Sequence, residues 1–271
     1  MTTRVVFCVS DHTGLTAETY AHSIVSRFQS VKADYETRPF IDDMDKLSTV
    51  VEEIDMVARQ GTRPIVFSTL TDPDMSETLS KANGLVLGLF DGFVEQLGEE
   101  LGLEADTTVG MYHGIGDVGT YQVRLDALDF TLTTDDGLGT DRYQMADIIV
   151  VGVSRVGKTP TCLYLSMQYG LRAANYPLTG EELESTELPQ ALHPYRDRLF
   201  GLTIDPTRLF QIRQKRRPDS SYSSFEQCTR EVSAAERMFK ANSIPTTDST
   251  TRSIEEITAT LMREADLDRK L

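Results

Sequence analysis

Cysteine is scarce in this sequence and never paired. Its three copies, Cys8, Cys162 and Cys228, lie far apart among 271 residues and form no Cys-x-x-Cys motif. A zinc site or a disulfide framework needs cysteines at short or regular spacings, so the pattern fits neither. We therefore expect all three thiols to be reduced and structural.

The sequence also lacks a long apolar run. No stretch approaches the length that spans a bilayer, and the apolar segment 5–9 is too short for the core of a signal peptide. We therefore expect a cytoplasmic protein that makes no membrane contact.

Basic residues are in short supply. The chain has 27 Lys and Arg against 42 Asp and Glu, which gives a formal net charge of -15. This charge argues against a surface built for nucleic acid or for anionic lipid. It would also repel a free nucleotide, so a bound phosphate needs local amides, cationic side chains or a metal ion.

The first part of the chain alternates short apolar strands with amphipathic stretches, as parallel βαβ units do. Strands are predicted at 4–9, 35–40, 64–70 and 85–90, and helices at 16–28, 45–60, 73–82 and 92–101. The region 103–141 is richer in Gly, Thr and Asp, with one helix predicted over 121–132. We place the domain junction near its end, after residue 142.

A second βα series follows this junction. Strands are predicted at 146–153, 173–176, 199–204 and 244–246, and helices at 163–169, 206–217 and 223–242. A last helix should begin after Ser253, which with Glu256 forms a capping box. The predicted fold is α/β, with an N-terminal parallel βαβ, Rossmann-like domain (1–142) followed by a P-loop kinase-like α/β domain (143–271).

The clearest functional motif is a P-loop of the form GxxxxGK[ST]. It consists of Gly152, Val153, Ser154, Arg155, Val156, Gly157, Lys158 and Thr159. The apolar run 148–151 precedes it, as expected of a buried strand. The motif predicts a nucleotide phosphate site, and the alternative is a strand-to-helix turn that binds nothing.

Physical chemistry assigns roles within the motif. Gly152 and Gly157 let the backbone bend around a phosphate, while amides at the new helix converge on the anion. Lys158 should reach the terminal oxygens as a catalytic residue, and Thr159 should offer its hydroxyl to Mg²⁺. Arg155 is either a second cation or a solvated loop arginine.

Other polar residues of the second domain allow two interpretations. Asp205 follows a predicted strand, where P-loop proteins commonly carry a carboxylate that orients the metal or acts as a base, but an Asp-Pro turn would also place it there. A basic cluster either clamps phosphates or ends a helix in solvent, and it comprises Arg213, Lys215, Arg216 and Arg217. No Asn-Lys-x-Asp motif is present, which argues against a switch GTPase.

These motifs belong to a wider resemblance. The segment 152–177, GVSRVGKTPTCLYLSMQYGLRAANYP, resembles the signature of the phosphoenolpyruvate synthase and pyruvate,phosphate dikinase regulatory proteins. Further matches cover nearly the whole chain and include VSDHTG at 9–14, DDG at 135–137, LFGLTIDP at 199–206 and SIEEI at 253–257. The segment 168–177 is more similar to the proteobacterial synthase branch than to the plant dikinase branch.

The resemblance implies a bifunctional enzyme. Such proteins use ADP to phosphorylate a threonine of phosphoenolpyruvate synthase, which inactivates that enzyme. They also remove the phosphate again, with inorganic phosphate as acceptor and pyrophosphate as product. The P-loop would then bind ADP. Two other classes stay open: a small-metabolite P-loop ATP kinase, and a nucleotide-sensing module that transfers nothing.

The loop 10–14 follows the first strand, at the edge where open α/β sheets bind ligands. We predict a second anion or phosphothreonine site there, with Asp11 as a catalytic residue. The alternative is a capped loop in which Ser10 or Thr13 only satisfies amides. The segment 113–121 departs from the family pattern, so the resemblance does not carry a partner-contact role to it. His113 is interpreted as an ordinary loop histidine rather than a base. A homodimer is compatible with an α/β regulator of this size.

Overall fold

The structure is a computed structural model that describes residues 2–104, 118–218 and 220–270. The chain forms two compact units, Met1–Gly116 and Asp117–Leu271. Each unit contains a four-stranded parallel sheet flanked by helices. The predicted α/β class is therefore confirmed.

The sheet of the first unit has the strand order β2-β1-β3-β4. Its strands are β1 (Thr2–Val9), β2 (Val31–Arg38), β3 (Ile65–Ser68) and β4 (Leu85–Gly88). The helices are α1 (Leu15–Val25), α2 (Met44–Arg59), α3 (Pro73–Ser80) and α4 (Asp91–Leu101). Strand β2 begins earlier than the predicted 35–40, because its first half alternates charged and small residues and lacks an apolar signal.

Strand β1 separates two apolar layers of the first unit. Phe7 and Val9 pack with buried side chains of α2 and α3 on one face. Val6 and Cys8 pack with buried residues of α1 on the other. Successive side chains of a strand point to opposite faces, so a strand buried on both faces is apolar throughout.

The sheet of the second unit has the order β6-β5-β7-β8. Its strands are β5 (Ile148–Gly152), β6 (Ala173–Pro177), β7 (Leu199–Thr203) and β8 (Thr246–Asp248). The helices are α5 (Val118–Thr133), α6 (Lys158–Tyr169), α7 (Pro206–Arg216), α8 (Phe225–Ala241) and α9 (Ile254–Glu264). Strand β5 is buried along its whole length between β6 and β7, so its carboxyl end is held firmly in the sheet.

Helix α5 belongs to the second unit, which therefore begins before the predicted junction at 142. The reason is packing: Phe130 is part of the second unit's core, and the Thr131 hydroxyl donates to the carbonyl of Ala173 at 2.9 Å. Helix α6 also begins earlier than the predicted 163–169, because its first turn is polar.

Two smaller predictions are confirmed. The Glu256 side chain accepts from the Ser253 amide at 2.8 Å, and the Glu256 amide donates to the Ser253 hydroxyl at 3.3 Å, which is the predicted capping box. All three cysteines are free and buried. Among residues 2–104, 118–218 and 220–270, every helix is too short or too polar to cross a bilayer.

Gly201→Ala should destabilise the second unit. A methyl group at this position of β7 would lie 2.8 Å from Cγ2 of Thr246 and 2.9 Å from the ring of Phe239. Overpacking of this kind costs about 1–3 kcal/mol. The control is Gly92→Ala, where an added methyl meets nothing within 4 Å. Urea unfolding of both variants measures the difference, and equal free energies of unfolding would refute the packing argument.

Candidate functional site

The P-loop connects the buried end of β5 to the start of α6, and its two glycines have different roles. A Cβ at Gly152 would lie 2.7 Å from the carbonyl oxygen of Leu202, so this glycine allows β5 and β7 to approach closely. Gly157 has a φ of +104° and open space around its missing side chain. Its left-handed conformation, which glycine adopts without strain, lets the chain turn into α6.

Four carbonyl oxygens of this loop are bound to other groups of the protein. The Val153 carbonyl accepts from Nζ of Lys158 at 3.1 Å, and the Ser154 carbonyl accepts from Nη2 of Arg213 at 3.0 Å. The Val156 and Gly157 carbonyls accept from the hydroxyls of Ser249 and Thr161, both at 2.9 Å. Within the part of the chain that the structure describes, the amides of 154–159 donate to no acceptor. Donors of this kind at a helix N-terminus form an anion-binding site.

Lys158 brings a positive charge into this loop. The residue is only 5% exposed, and its Nζ donates to the carbonyl of Val153. Burial lowers the pKa of Lys158 from 10.5 to about 8, although the negative charges of Asp136 and Asp135 act to raise it. An anion in the loop would favour the charged form of this side chain.

Two carboxylates lie against the loop in a turn that precedes β5. The Thr159 hydroxyl donates to Oδ1 of Asp135 at 2.8 Å, and the side-chain amide of Asn175 donates to the same oxygen. The Asp136 amide donates in turn to Oδ1 of Asn175 at 3.1 Å, in a left-handed conformation with φ of 50°. Carboxylate and hydroxyl oxygens are suitable ligands for Mg²⁺.

Sequence reasoning missed the role of this turn. In the sequence, Asp135, Asp136 and Gly137 stand out only as a match to a family pattern. Two adjacent carboxylates before the strand of a P-loop were the available signal, but only the tertiary structure places them beside Thr159.

Arg213 fixes the loop from the opposite side. Its side chain is fully buried, forms an ion pair with Glu231 at 2.6 Å and donates to the carbonyls of Ser154 and Tyr222. Its guanidinium lies 4.2 Å from the centre of the Tyr222 ring, and the Tyr222 hydroxyl is 2.9 Å from the Ser154 hydroxyl. Arg213 is therefore a structural clamp, whereas its neighbours in the predicted basic cluster are exposed.

Three cavities surround the loop, and Arg155 lines all of them. The loop cavity, of about 280 Å³, is lined by Asp136, Ser154, Arg155, Gly157, Lys158, Thr159 and Pro160. The helix cavity, of about 660 Å³, extends from Gly157 along α7 to the segment 249–254 and α9. The arginine cavity, of about 270 Å³, is lined by Ser154, Arg155, Arg216, Arg217 and Tyr222.

Asp205 is an exposed helix cap in the structure. Its Oδ1 accepts from the Arg208 amide at 3.0 Å, and its own amide donates to the Thr250 hydroxyl at 2.7 Å. Its carboxylate is not among the described groups that line the loop cavity. The local geometry is that of the Asp-Pro alternative, and a catalytic role for Asp205 stays a prediction.

Asp11 belongs to the first unit, where it is buried. Its Oδ2 accepts from the amide and the hydroxyl of Thr71 at 3.0 and 2.7 Å, which joins the loops after β1 and β3. The Ser10 hydroxyl accepts from the His12 amide at 3.1 Å, so part of this loop does satisfy its own amides. His113 lies outside the described residues.

Lys158→Met should stabilise the ligand-free protein at neutral pH. Below the folded pKa of about 8, folded and unfolded chains both carry the ammonium, so the folded state bears the full cost of burying it. That cost is on the order of 1–3 kcal/mol. Between about pH 8 and 10.5 the unfolded state binds more protons than the folded state, so the stability of the wild type rises with pH. The difference in unfolding free energy between the wild type and the variant should therefore shrink over this range.

Urea unfolding of both proteins at pH 7 and pH 10 measures this gap. A difference in stability that is the same at the two pH values would show that Lys158 carries no buried charge.

Similarity to known proteins agrees with this geometry. A family model described as Kinase/pyrophosphorylase matches residues 6–262. A protein of Azoarcus sp. (strain BH72), named "Putative phosphoenolpyruvate synthase regulatory protein", is 50% identical over 268 residues, covering 98% of this chain and 97% of that one. Proteins of the same name from Ectopseudomonas mendocina (strain ymp) and Legionella pneumophila (strain Corby) are each 46% identical over 269 residues, covering 99% of both chains. The chain therefore belongs to the kinase/pyrophosphorylase family.

Proposed function

We propose that this chain is an ADP-dependent serine/threonine protein kinase and a phosphate-dependent phosphorylase that regulates phosphoenolpyruvate synthase. The main support is the P-loop, where the amides of 154–159 have no acceptor in the described part of the chain and Lys158 is buried beside them. The family and the names of the relatives support the partner and the two directions of transfer.

A nucleotide fits the loop better than a free anion does, because a second cavity adjoins the first. The loop cavity and the helix cavity share Arg155 and Gly157. Ile204, Ile212 and Ile257 provide apolar surface in the helix cavity, whose volume of about 660 Å³ is typical of small-molecule sites. The diphosphate would lie in the loop cavity and the nucleoside in the helix cavity.

The kinase reaction moves one phosphoryl group. The hydroxyl oxygen of the partner threonine bonds to the β-phosphorus of ADP, the bond to the bridging oxygen breaks, and AMP leaves with the electron pair. The hydroxyl proton passes to a carboxylate. Lys158 and the loop amides stabilise the charge that spreads over the phosphoryl oxygens.

The phosphorylase reaction reverses the direction of transfer with a different acceptor. An oxygen of inorganic phosphate bonds to the phosphorus of phosphothreonine, and the threonine oxygen leaves and takes a proton. The products are pyrophosphate and the free threonine hydroxyl, so the reaction balances without a water molecule. Both directions need the same cationic and amide environment.

Thr159 and Asp135 fit a magnesium ion that is shared with the nucleotide. Among the described residues, no group of three or more His, Cys, Asp and Glu side chains could hold a metal by itself. Mg²⁺ usually binds through one or two carboxylates together with substrate phosphates, and it neutralises charge on the transferred group. Asp136, which lines the loop cavity, would be a second carboxylate near a bound substrate.

Lys158→Ala should weaken ADP binding about 10- to 100-fold, because hydrogen bonds to charged groups contribute roughly 1.5–3 kcal/mol. Calorimetry with ADP and Mg²⁺ measures the loss, with Lys215→Ala on exposed α7 as the control. The same proteins are then incubated with phosphoenolpyruvate synthase and either ADP or ATP. ATP-dependent phosphorylation of a metabolite would indicate a small-metabolite kinase, and nucleotide binding without transfer would indicate a sensing module.

Asp135→Asn and Asp205→Asn separate the two candidate carboxylates. Asn at 135 retains an oxygen that can accept from Asn175 but loses the charge beside Thr159, so we expect kcat to fall about 100-fold or more in both directions. In Asp205→Asn the new side chain still caps α7, so we expect kcat to fall much less than in Asp135→Asn. A larger fall in kcat for Asp205→Asn than for Asp135→Asn, in both the kinase and the phosphorylase assay, would make Asp205 the functional carboxylate.

A further inference from the structure

The arginine cavity is a second cationic site next to the P-loop. It is lined by Arg155, Arg216 and Arg217 together with the hydroxyl-bearing side chains Ser154 and Tyr222, and no carboxylate is among its described lining residues. A chain with a formal charge of -15 concentrates three guanidinium groups here. Arginine binds phosphate oxygens in a bidentate manner, so this lining suits a phosphate dianion.

Helix α7 and the turn after it place these arginines. The Arg217 amide donates to the carbonyl of Arg213 at 2.9 Å, so a helical hydrogen bond still fixes the residue that follows α7. The hydroxyls of Ser220 and Ser223 donate to the carbonyl of Arg217 at 3.1 and 2.8 Å. Cations at a helix C-terminus interact favourably with the helix dipole. The dipole alone, however, does not require them to line a cavity together with Ser154.

The wall that this cavity shares with the loop is also fixed. Tyr222 stacks on the buried guanidinium of Arg213 and contacts the Ser154 hydroxyl, while Arg213 bonds the Ser154 carbonyl. Ser154 and Arg155 line the loop cavity as well as the arginine cavity. The two cavities therefore meet at Ser154 and Arg155, so that anions bound in them would be direct neighbours.

We propose that the arginine cavity is a second phosphoryl subsite, which binds the phosphoryl group of the phosphorylated residue on the partner protein. This inference rests on the proposed function, because the phosphorylase reaction must bring two phosphate dianions into contact. Their repulsion needs a cationic group on each side of the bond that forms. Lys158 serves the loop cavity, and Arg216 with Arg217 serve the other.

The test uses the full chain and the double variant Arg216→Gln with Arg217→Gln. The control is Lys215→Gln, which removes a charge from the same helix without touching the described lining of the three cavities. Calorimetry with ADP and Mg²⁺ comes first, followed by titration of inorganic phosphate and of O-phosphothreonine into the ADP-saturated proteins. Circular dichroism and thermal unfolding confirm that each variant is folded.

We expect O-phosphothreonine to bind the ADP-saturated wild type and the control, and to bind the double variant about tenfold or more weakly. ADP affinity should change less than threefold, in line with the loop being intact. In the phosphorylase assay the KM for the phosphorylated partner should rise, while the KM for inorganic phosphate stays within twofold.

Two results would overturn the subsite while leaving the proposed function in place. One is O-phosphothreonine binding that is absent or equal in wild type and double variant, with normal ADP binding. The other is a rise confined to the KM for inorganic phosphate, which would assign the cavity to free phosphate. Failure of ADP to bind in the first titration would instead count against the proposed function.

Discussion

The site depends on one constraint: a lysine ammonium is kept from water inside a loop in which four carbonyl oxygens are already bound. Lys158 can occupy this position because β5 is buried along its length and ends at the loop. Gly157 then turns the chain into α6, whose first residues line the loop cavity. The result is a positive site of fixed geometry on a strongly acidic chain, where the overall field would otherwise repel a nucleotide.

The surroundings of the loop support this arrangement from two directions. On one side, the Asp135 carboxylate accepts from the Thr159 hydroxyl, which holds both oxygen-bearing side chains against the start of α6. On the other side, the buried ion pair of Arg213 with Glu231 secures the carbonyl of Ser154. A buried ion pair of this kind is weak evidence for added stability, but its contacts hold the Ser154 carbonyl in place.

Much of this could be predicted from the sequence, because the signals are local. The strand-glycine-lysine-helix order of the P-loop, the capping box at Ser253 and the alternating βα pattern each depend on neighbouring residues. The remaining features depend on tertiary contacts. Nothing local shows that Asp135 reaches Thr159, or that Arg213 is buried while Arg216 and Arg217 are exposed. The start of edge strand β2 is also not evident from the sequence, because a half-exposed strand carries charged residues.

The central claim is that the loop holds the phosphates of ADP, and a crystal structure with ADP and Mg²⁺ tests it most directly. We expect both phosphates within hydrogen-bonding distance of the amides of 154–159, with the Lys158 ammonium on the β-phosphate and the nucleoside in the helix cavity. Density for the nucleotide at another place, with the loop empty, would contradict the account.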